Sequence, residues 1–371
     1  MDIDEDLSSF VSQAKLEELL ELLGDSESLL ILTHDNPDPD ALSAACCLRY
    51  IVTKRSQTKV RIGYGGIVGR AENRTMLKLL KLHTTKITEA RIRKYKSIVL
   101  VDTQPLTGNN SLPRRVAVKG IIDHHPERKS TRAPFRDIRP NYGSVATILT
   151  EYLFASGLDI PTNLATALFY GIASETQDLG RQVSNADAVA YLSLFSRANK
   201  KVLSRIRRPV VKREYFAYMA AAIANAVTYK HTIATCLGRV TNPDMIALVA
   251  DMLLTVERMT WSMATGRYKD SILISVRSNR EKARAGAMAR RIVGSGGTAG
   301  GHDTVAGGQV SCEDKTDRQC EDTEHRLMET FFRVRGKPEG GEVTPLVAPE
   351  REPRRPEEAD RTSDGDSGST D

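Results

Sequence analysis

The feature that most constrains this chain is a set of short apolar runs, each broken at its end by histidine or carboxylate. Leu29-Leu-Ile-Leu32 is followed by His34, Ile98-Val-Leu-Val101 by Asp102, and the run from Val116 to Ile122 by Asp123-His124-His125. A fourth string, Tyr170-Gly-Ile-Ala-Ser-Glu175-Thr, ends the same way. Short continuous apolar runs read as strands buried on both faces, the habit of parallel sheets. In open parallel sheets, ligands bind beyond the carboxyl ends of the strands. Carboxylate and imidazole gathered there are the donor set of a divalent-cation site.

Helical patterns separate the runs. Phe10, Leu16, Leu19, Leu20 and Leu23 recur at helical spacing over 8–23, and Gly24 fits a helix stop. Ala41 to Thr53, Ser144 to Ser156 and Asn163 to Ala173 read as helices, and Lys59 to Gly63 as a further strand. Strands alternating with helices predict an α/β fold with a parallel sheet covered on both faces. From Arg197 the composition shifts: Lys200, Lys201, Arg205, Arg207, Arg208, Lys212 and Arg213 occur with no acid among them. We expect a first domain over 1–196 that includes the leading helix, and a basic linker over 197–227. A second, smaller α/β domain is expected over 228–335, with strands at Thr232–Leu237 and Ser271–Val276 and a helix from Pro243 to Thr260. Beyond Arg335 the chain is dominated by Pro, Glu, Gly, Ser and Asp, so 336–371 is expected not to fold.

A length of 371 residues suits two domains with ample cores. Five cysteines lack any metal-finger spacing. Cys46 and Cys47 are adjacent on a helix and Cys236 is in a strand-like run, which fits reduced, buried thiols. Cys312 and Cys320 lack companions for a metal site. The start, Met1-Asp-Ile-Asp-Glu-Asp6, is acidic, unlike a secretory leader, and no run is apolar enough to span a bilayer. A cytoplasmic protein with no membrane partner is expected. The net charge of +6 permits an anionic partner without requiring one.

Each motif residue alone has a plainer reading. His34 is then a satisfied polar side chain, Asp102 a helix cap or strand-end acid, and Glu175 a first-turn carboxylate on a helix dipole. The basic run is either a solvated helix face or a nucleic-acid groove. His83, His231 and His325 fall in no motif. Together, however, His34, Asp38, Asp40, Asp102, His124 and Glu175 supply oxygen and imidazole without thiolate, which suits manganese or magnesium better than zinc. Such sites hold two ions ~3.5–4 Å apart, joined by a carboxylate, for in-line attack on phosphorus.

The strings resemble the motifs of the DHH phosphoesterase family. A His-x-x-x-Asp-x-Asp string spans His34 to Asp40, a lone Asp102 follows a strand, the Asp-His-His signature falls at 123–125, and a Gly-Ile-x-x-acid-Thr string ends at Thr176. Gly300-Gly-His302-Asp-Thr-Val-Ala-Gly307-Gly308 resembles the glycine-rich signature of the DHHA1 substrate-binding domain. The likeness covers roughly 29–311 and is greatest to the nanoRNase (oligoribonuclease) and pAp-phosphatase branch. It implies a parallel-sheet DHH metal domain followed by a smaller α/β DHHA1 domain. It also implies two divalent metal ions, Mn2+ with Mg2+ as the alternative. His34 and Asp38 would hold one; Asp40, His124 and Glu175 the other; Asp102 would bridge. His125 would face the scissile phosphate and leaving group, with Asp123 orienting His124. Arg277, Ser278, Gly300, Gly301 and His302 would grip the substrate. Two positions depart from the family: Glu175 stands where Asp is usual, and Val305 where Ala is.

The implied activity is metal-dependent hydrolysis of short oligoribonucleotides, an exonuclease reaction, extending to adenosine 3',5'-bisphosphate. The partner would be short single-stranded RNA or a small phosphorylated nucleotide, and a homodimer is compatible. Cleavage of cyclic or linear dinucleotides is the alternative. Inorganic pyrophosphatase is opposed by the DHHA1-like string, a processive exonuclease by the lack of residues for a further module, and a non-catalytic nucleotide-binding regulator by the nearly complete ligand set.

Overall fold

A computed structural model describes residues 10–24, 26–181, 183–301 and 303–347. The chain divides between Val211 and Lys212 into two compact units.

The first unit opens with α1 (Phe10–Leu23), then β1 (Ser28–Leu32), α2 (Pro39–Arg55), β2 (Lys59–Tyr64), α3 (Ala71–Leu80), β3 (Thr85–Lys86), α4 (Glu89–Ile92) and β4 (Ser97–Val101). It continues with β5 (Gly120–Asp123), β6 (Phe135–Ile138), α5 (Val145–Ala155), α6 (Thr162–Glu175), α7 (Asn185–Arg197) and α8 (Lys200–Arg207). The strands form one six-stranded sheet in the order β3-β2-β1-β4-β5-β6, and every pair is parallel. The chain winds outward from β1 in one direction and returns to start again at β4, so β1 and β4 flank the point where the order reverses. That crevice is where open α/β sheets bind ligands.

Leu29, Ile31, Val99 and Val101 project to one face, packed with apolar residues of α1, α2, α5 and α6. Leu30, Leu32, Ile98, Leu100 and Ile121 fill the other face with Ile87, Ile92 and Val118. All nine strand residues are fully buried, which is why the runs show no polar alternation. The run from Val116 is shorter as a strand than its apolarity suggests. Val116 turns back to bond the Pro113 carbonyl, and ladder bonding begins with Lys119 N–H on Ile98. β6 directly follows a stretch rich in Arg and Pro, Pro126 to Pro134.

The second unit contains α9 (Arg213–Ala224), β7 (Val227–Tyr229), β8 (Thr232–Arg239), α10 (Asp244–Leu253), β9 (Trp261–Tyr268) and β10 (Ser271–Ser278). It ends with α11 (Ala285–Val293), β11 (Gly297–Gly301), β12 (Val305–Ser311), α12 (Asp317–Val334) and β13 (Thr344–Pro345). Seven strands run in the order β11-β12-β10-β9-β8-β7-β13. Only β8 and β9 pair in parallel. One face packs on α11 and α12, the other on α9 and α10.

The basic stretch holds α8 and, entering the second unit, α9. One expectation needs correction. The expected tail is not wholly without structure: Thr344 and Pro345 pair with Thr228 and Val227, and Leu346 N–H bonds the Ala226 carbonyl at 2.8 Å. Val343, Leu346 and Val347 supply the apolar content that the surrounding Pro, Glu and Gly obscure. Residues 348–371 lie outside the described residues. Among the described residues, no helix is long and apolar enough to cross a membrane.

Candidate metal centre

Adjacency of β1, β4 and β5 brings His34, Asp102 and His124 together, since each lies just past the carboxyl end of its strand. Asp102 is the centre. It is 3% exposed, with φ of +61°, a left-handed conformation that aspartate tolerates better than most residues. Its Oδ2 faces His34 Nε2 at 3.4 Å, and its Oδ1 faces His124 Nε2 at 3.5 Å and His125 Nδ1 at 3.6 Å. Oδ1 has no hydrogen-bond partner among the described residues. A buried carboxylate oxygen without a partner is costly, and a cation between the facing donors removes that cost.

Two ligand groups therefore share Asp102. His34, Asp38 and Asp102 place donor atoms within 4.8 Å of one another, and so do Asp102, His124 and His125. His34 turns Nδ1 to the Asp35 carbonyl (2.9 Å), and His124 turns Nδ1 to the Tyr142 carbonyl (3.2 Å). A carbonyl accepts only from a protonated nitrogen, so both rings present Nε2 to the carboxylates. The loop bearing Tyr142 is held in turn. Arg139 donates to Asp137 (2.7 Å) and Glu151 (2.6 Å), Tyr142 OH donates to Glu151 (2.9 Å), and Gly143 N–H donates to Asp187 (2.8 Å).

Asp38 and Asp40 come from the start of α2. Asp38 is its N-cap, with Oδ1 accepting from Ala41 N–H at 3.0 Å. Oδ2 faces His34 Nε2 at 3.6 Å. Asp40 is 1% exposed and caps α5 from outside, accepting from Val145 N–H (2.9 Å) and Ala146 N–H (2.8 Å). Its Oδ2 lies 3.9 Å from His124 Nε2, outside both ligand groups. Gly171 makes this packing possible: a Cβ there would stand 2.3 Å from Ser43 Oγ and 3.3 Å from Asp40 Cα.

Glu175 is placed otherwise than the sequence suggested. It follows no strand and is not in the first turn of a helix; it is the last residue of α6. A carboxylate at a helix C-terminus faces the negative end of the dipole and is disfavoured there. Its Oε1 lies 3.5 Å from Arg181, and it joins neither ligand group. Asp123 also acts differently from the expectation. It holds His125, not His124: Oδ1 accepts from His125 Nδ1 (2.9 Å) and N–H (3.2 Å). The ring after the strand end folds back over the preceding carboxylate, whereas His124 points into the crevice.

The electrostatics describe a surplus of negative charge. Burial, then the charges of Asp102, Asp38 and Glu175, raise the Asp40 carboxyl well above its usual range. Burial and then Asp38 raise Glu175. Burial opposes a charged His34 ring, yet Asp102 and Asp38 lift it well above its ordinary value. Burial likewise opposes charge on Asp38, but the hydrogen bond and charge of His34 hold it well below the carboxylate norm. His125 is pushed up to about 9, the Asp123 hydrogen bond and the Asp102 charge outweighing burial. Crowded buried anions beside imidazoles are the setting that a divalent cation neutralises. The residues fit the metal that their chemistry implies.

Sequence reasoning missed Gln104. It is 1% exposed and donates to Asp123 Oδ2 at 2.7 Å, while its Oε1 accepts from Thr131 Oγ1 (2.6 Å) and Arg128 N–H (3.0 Å). It fixes the carboxylate that holds His125. Only its place two residues past Asp102 hints at this.

In the second unit, Arg277 and Gly301 line a pocket of about 380 Å³ with Ile246, Ser275, Val305 and Gly308. Arg277 is 7% exposed, donating to Asp251 and, at 3.1 Å, to its neighbour's carbonyl. Ser278 Oγ donates to the Thr260 carbonyl at 2.9 Å. Gly301 has φ of +148°, and a Cβ on it would stand 2.4 Å from Ala306 Cα. A Cβ on Gly300 would meet nothing within 4 Å. Val305 is 37% exposed at the pocket. His302 lies outside the described residues.

Residues 28–172 match the DHH family, N-terminal domain, and residues 228–329 match the DHHA1 domain. The chain belongs to the DHH/DHHA1 phosphoesterase family. It is 34% identical over 284 residues to an uncharacterized protein of Methanocaldococcus jannaschii, covering 76% of this chain and 58% of that one. It is 26% identical over 340 residues to the cyclic-di-AMP phosphodiesterase GdpP of Geobacillus thermodenitrificans, covering 86% of this chain and 50% of that one. A probable manganese-dependent inorganic pyrophosphatase of Brevibacillus brevis is 26% identical over 156 residues, covering 40% of this chain and 48% of its own length. The chain thus spans about half the length of these curated relatives. Its fold is similar to that of an exopolyphosphatase-related protein from Bacteroides fragilis, with a TM-score of 0.67, 15% identity, and 87% and 98% of the two chains covered.

Proposed function

We propose that this chain is a two-metal phosphodiesterase that hydrolyses short oligoribonucleotides, and adenosine 3',5'-bisphosphate with them. The observation that carries the reading is the Asp102 carboxylate, buried, with Oδ2 facing His34 at 3.4 Å and Oδ1 facing His124 at 3.5 Å. His34 and Asp38 would hold one ion; His124, with Asp40 and Glu175 behind it, the other; Asp102 would join them. Bound there, divalent ions would neutralise phosphate charge and make water a ready nucleophile at neutral pH. Manganese is the first choice, in keeping with the nitrogen and oxygen donors and with the name of the pyrophosphatase relative.

The chain's own residues supply the rest. His125 carries a proton near neutral pH and stands at the mouth of the corner, its side chain 36% exposed. It protonates the leaving oxygen as the P–O bond breaks. Asp123, pinned by Gln104, keeps that ring oriented through the step. In the second unit, the pocket beside Arg277 and the open side of Gly300 would receive substrate phosphate or sugar, with His302.

A second reading is hydrolysis of cyclic dinucleotides. It is favoured by the GdpP match, which extends over 86% of this chain where the pyrophosphatase match extends over 40%. One experiment separates the readings: purified protein with manganese, offered di- to decaribonucleotides, adenosine bisphosphate, cyclic dinucleotides and pyrophosphate. Preferred release of mononucleotides from the shortest RNAs supports the first reading. Cleavage of only the cyclic dinucleotide, or only pyrophosphate, overturns it.

A further inference from the structure

We propose that α8, with the end of α7, is a track for the phosphodiester backbone of single-stranded RNA extending beyond the catalytic corner. The inference rests on the proposed oligoribonucleotide substrate and names a surface of the first unit that this reading does not use.

Lys201 and Arg205 on α8, and Arg208 at its C-cap, follow one another at i, i+4 and i+7, and all are exposed. At a rise of ~1.5 Å per residue, Lys201 and Arg205 stand ~6 Å apart along the axis, and Arg208 follows where the helix ends. Leu203 and Ile206, on the opposite side, are buried in the core. No ion pair involves these three cations among the described residues; Arg207 is the one on α8 that pairs, with Asp178 at 2.5 Å. The first turn of α8 has no acid, so Lys201 sits at the positive end of its dipole, where cations are disfavoured, while Lys200 Nζ reaches back to the Phe195 and Ser196 carbonyls at the end of α7.

Beside the stripe, Leu192 and Phe195 lie one turn apart near the end of α7, 57% and 47% exposed. Lys200 Nζ stands 4.6 Å from the Phe195 ring centre. A row of free cations beside exposed apolar and aromatic surface is how single strands are held without sequence preference: charge takes the backbone and flat surface takes a base. The track also leads toward the metal corner. Arg207 and Tyr191 OH (3.0 Å) both meet Asp178. Asp178 belongs to a left-handed turn, Gln177 to Leu179, that directly follows Glu175. Arg181, just beyond that turn, reaches back to Glu175.

The test uses the full chain and the triple variant Lys201→Gln/Arg205→Gln/Arg208→Gln. Binding of a labelled decaribonucleotide is followed in chelator over a salt series. Hydrolysis of a diribonucleotide and the decaribonucleotide is followed with manganese. The triple variant should bind the decamer about tenfold more weakly, with the slope of log affinity on log salt reduced by about 2. Its kcat/KM on the diribonucleotide should remain within about twofold of wild type, which also reports an intact fold. Unchanged decamer affinity and salt slope overturn the proposal, and so does an equal loss on both substrates. If wild type binds the decamer through this stripe yet cleaves no oligoribonucleotide, the substrate reading fails and the track stands. If it cleaves them while the variant binds as well as wild type, the track fails alone.

Discussion

The metal corner of the first unit and the glycine-rich pocket of the second treat their charged groups in opposite ways. In the corner, carboxylates crowd one another, one oxygen of Asp102 has no hydrogen-bond partner among the described residues, and Asp40 and Glu175 resist ionisation. In the pocket, Arg277 is already neutralised by Asp251, Ser278 is bonded to the Thr260 carbonyl just before β9, and Gly301 is dictated by packing and conformation. The first region stores unmet charge; the second is electrostatically satisfied and offers shape. The proposed function gives chemistry to the first and recognition to the second, because only unmet charge is released by bringing in an ion.

The largest effect expected from this contrast is at Asp102. Asp102→Asn should lower turnover by more than the ~10–100-fold typical of losing a metal ligand's outer partner. It should also leave the metal-free melting temperature unchanged or raise it by about 2–4 °C per kcal/mol of relieved repulsion. The asparagine keeps the left-handed backbone and removes the charge. Turnover within tenfold of wild type, or a large loss of metal-free stability, would mean that Asp102 is a structural acid.

Glu175 comes next. Glu175→Gln should reduce turnover and bound manganese by about 10–100-fold, whereas Glu175→Asp should retain both to within an order of magnitude, since carboxylates adapt their coordination. Because Glu175 faces the negative end of α6, glutamine should stabilise the metal-free protein by ~0.3–1 kcal/mol. Normal turnover and manganese content in the glutamine variant would remove Glu175 from the ligand set and make Asp178 the acid to test.

These two residues show how far the sequence is legible. Asp102 was readable because it ends an apolar run too short for a helix, the pattern of a buried strand end in a parallel sheet. Its neighbours His34 and His124 share the signal. Glu175 ends an equally apolar run, but that run is a buried helix, and periodicity cannot separate the two when every side is covered. The partner of Asp123 was not readable at all, because it depends on which way each ring turns past the strand end. Strands such as β11, made of Gly-Thr-Ala-Gly-Gly, and β9, with Met, Ala and Gly among its residues, carry little apolar alternation. Their pairing comes from tertiary context, and propensity does not announce it. Gln104 belongs to the same class: its role exists only once β4 and β5 are neighbours.

The pocket should respond in binding alone. Arg277→Ala should raise KM about tenfold or more, the equivalent of ~1.5–3 kcal/mol for a charged contact, with kcat and manganese content unchanged. Manganese should raise the melting temperature of this variant as much as that of wild type, since ligand binding stabilises through the ligand site. Loss of metal from the Arg277 variant would erase the distinction between the two regions.

The smallest effect separates the end of the chain from both sites. Truncation after Val347 should leave kcat, KM and melting temperature as they are. Truncation after Arg335 should keep kcat but lower the melting temperature, because it removes β13 from the edge of the second sheet. That edge contact consists of the Thr344 and Pro345 pairing with β7 and the Leu346 N–H on Ala226. At ~0.5–1.5 kcal/mol per net hydrogen bond, the loss is ~1–3 kcal/mol, a shift of several degrees in the second unit's transition. The metal corner should be blind to it, because neither its ligands nor the residues that orient them lie beyond Asp187. A fall in manganese affinity after the shorter truncation would show that the end of the chain acts on the corner, and the two regions would then have to be treated as one site.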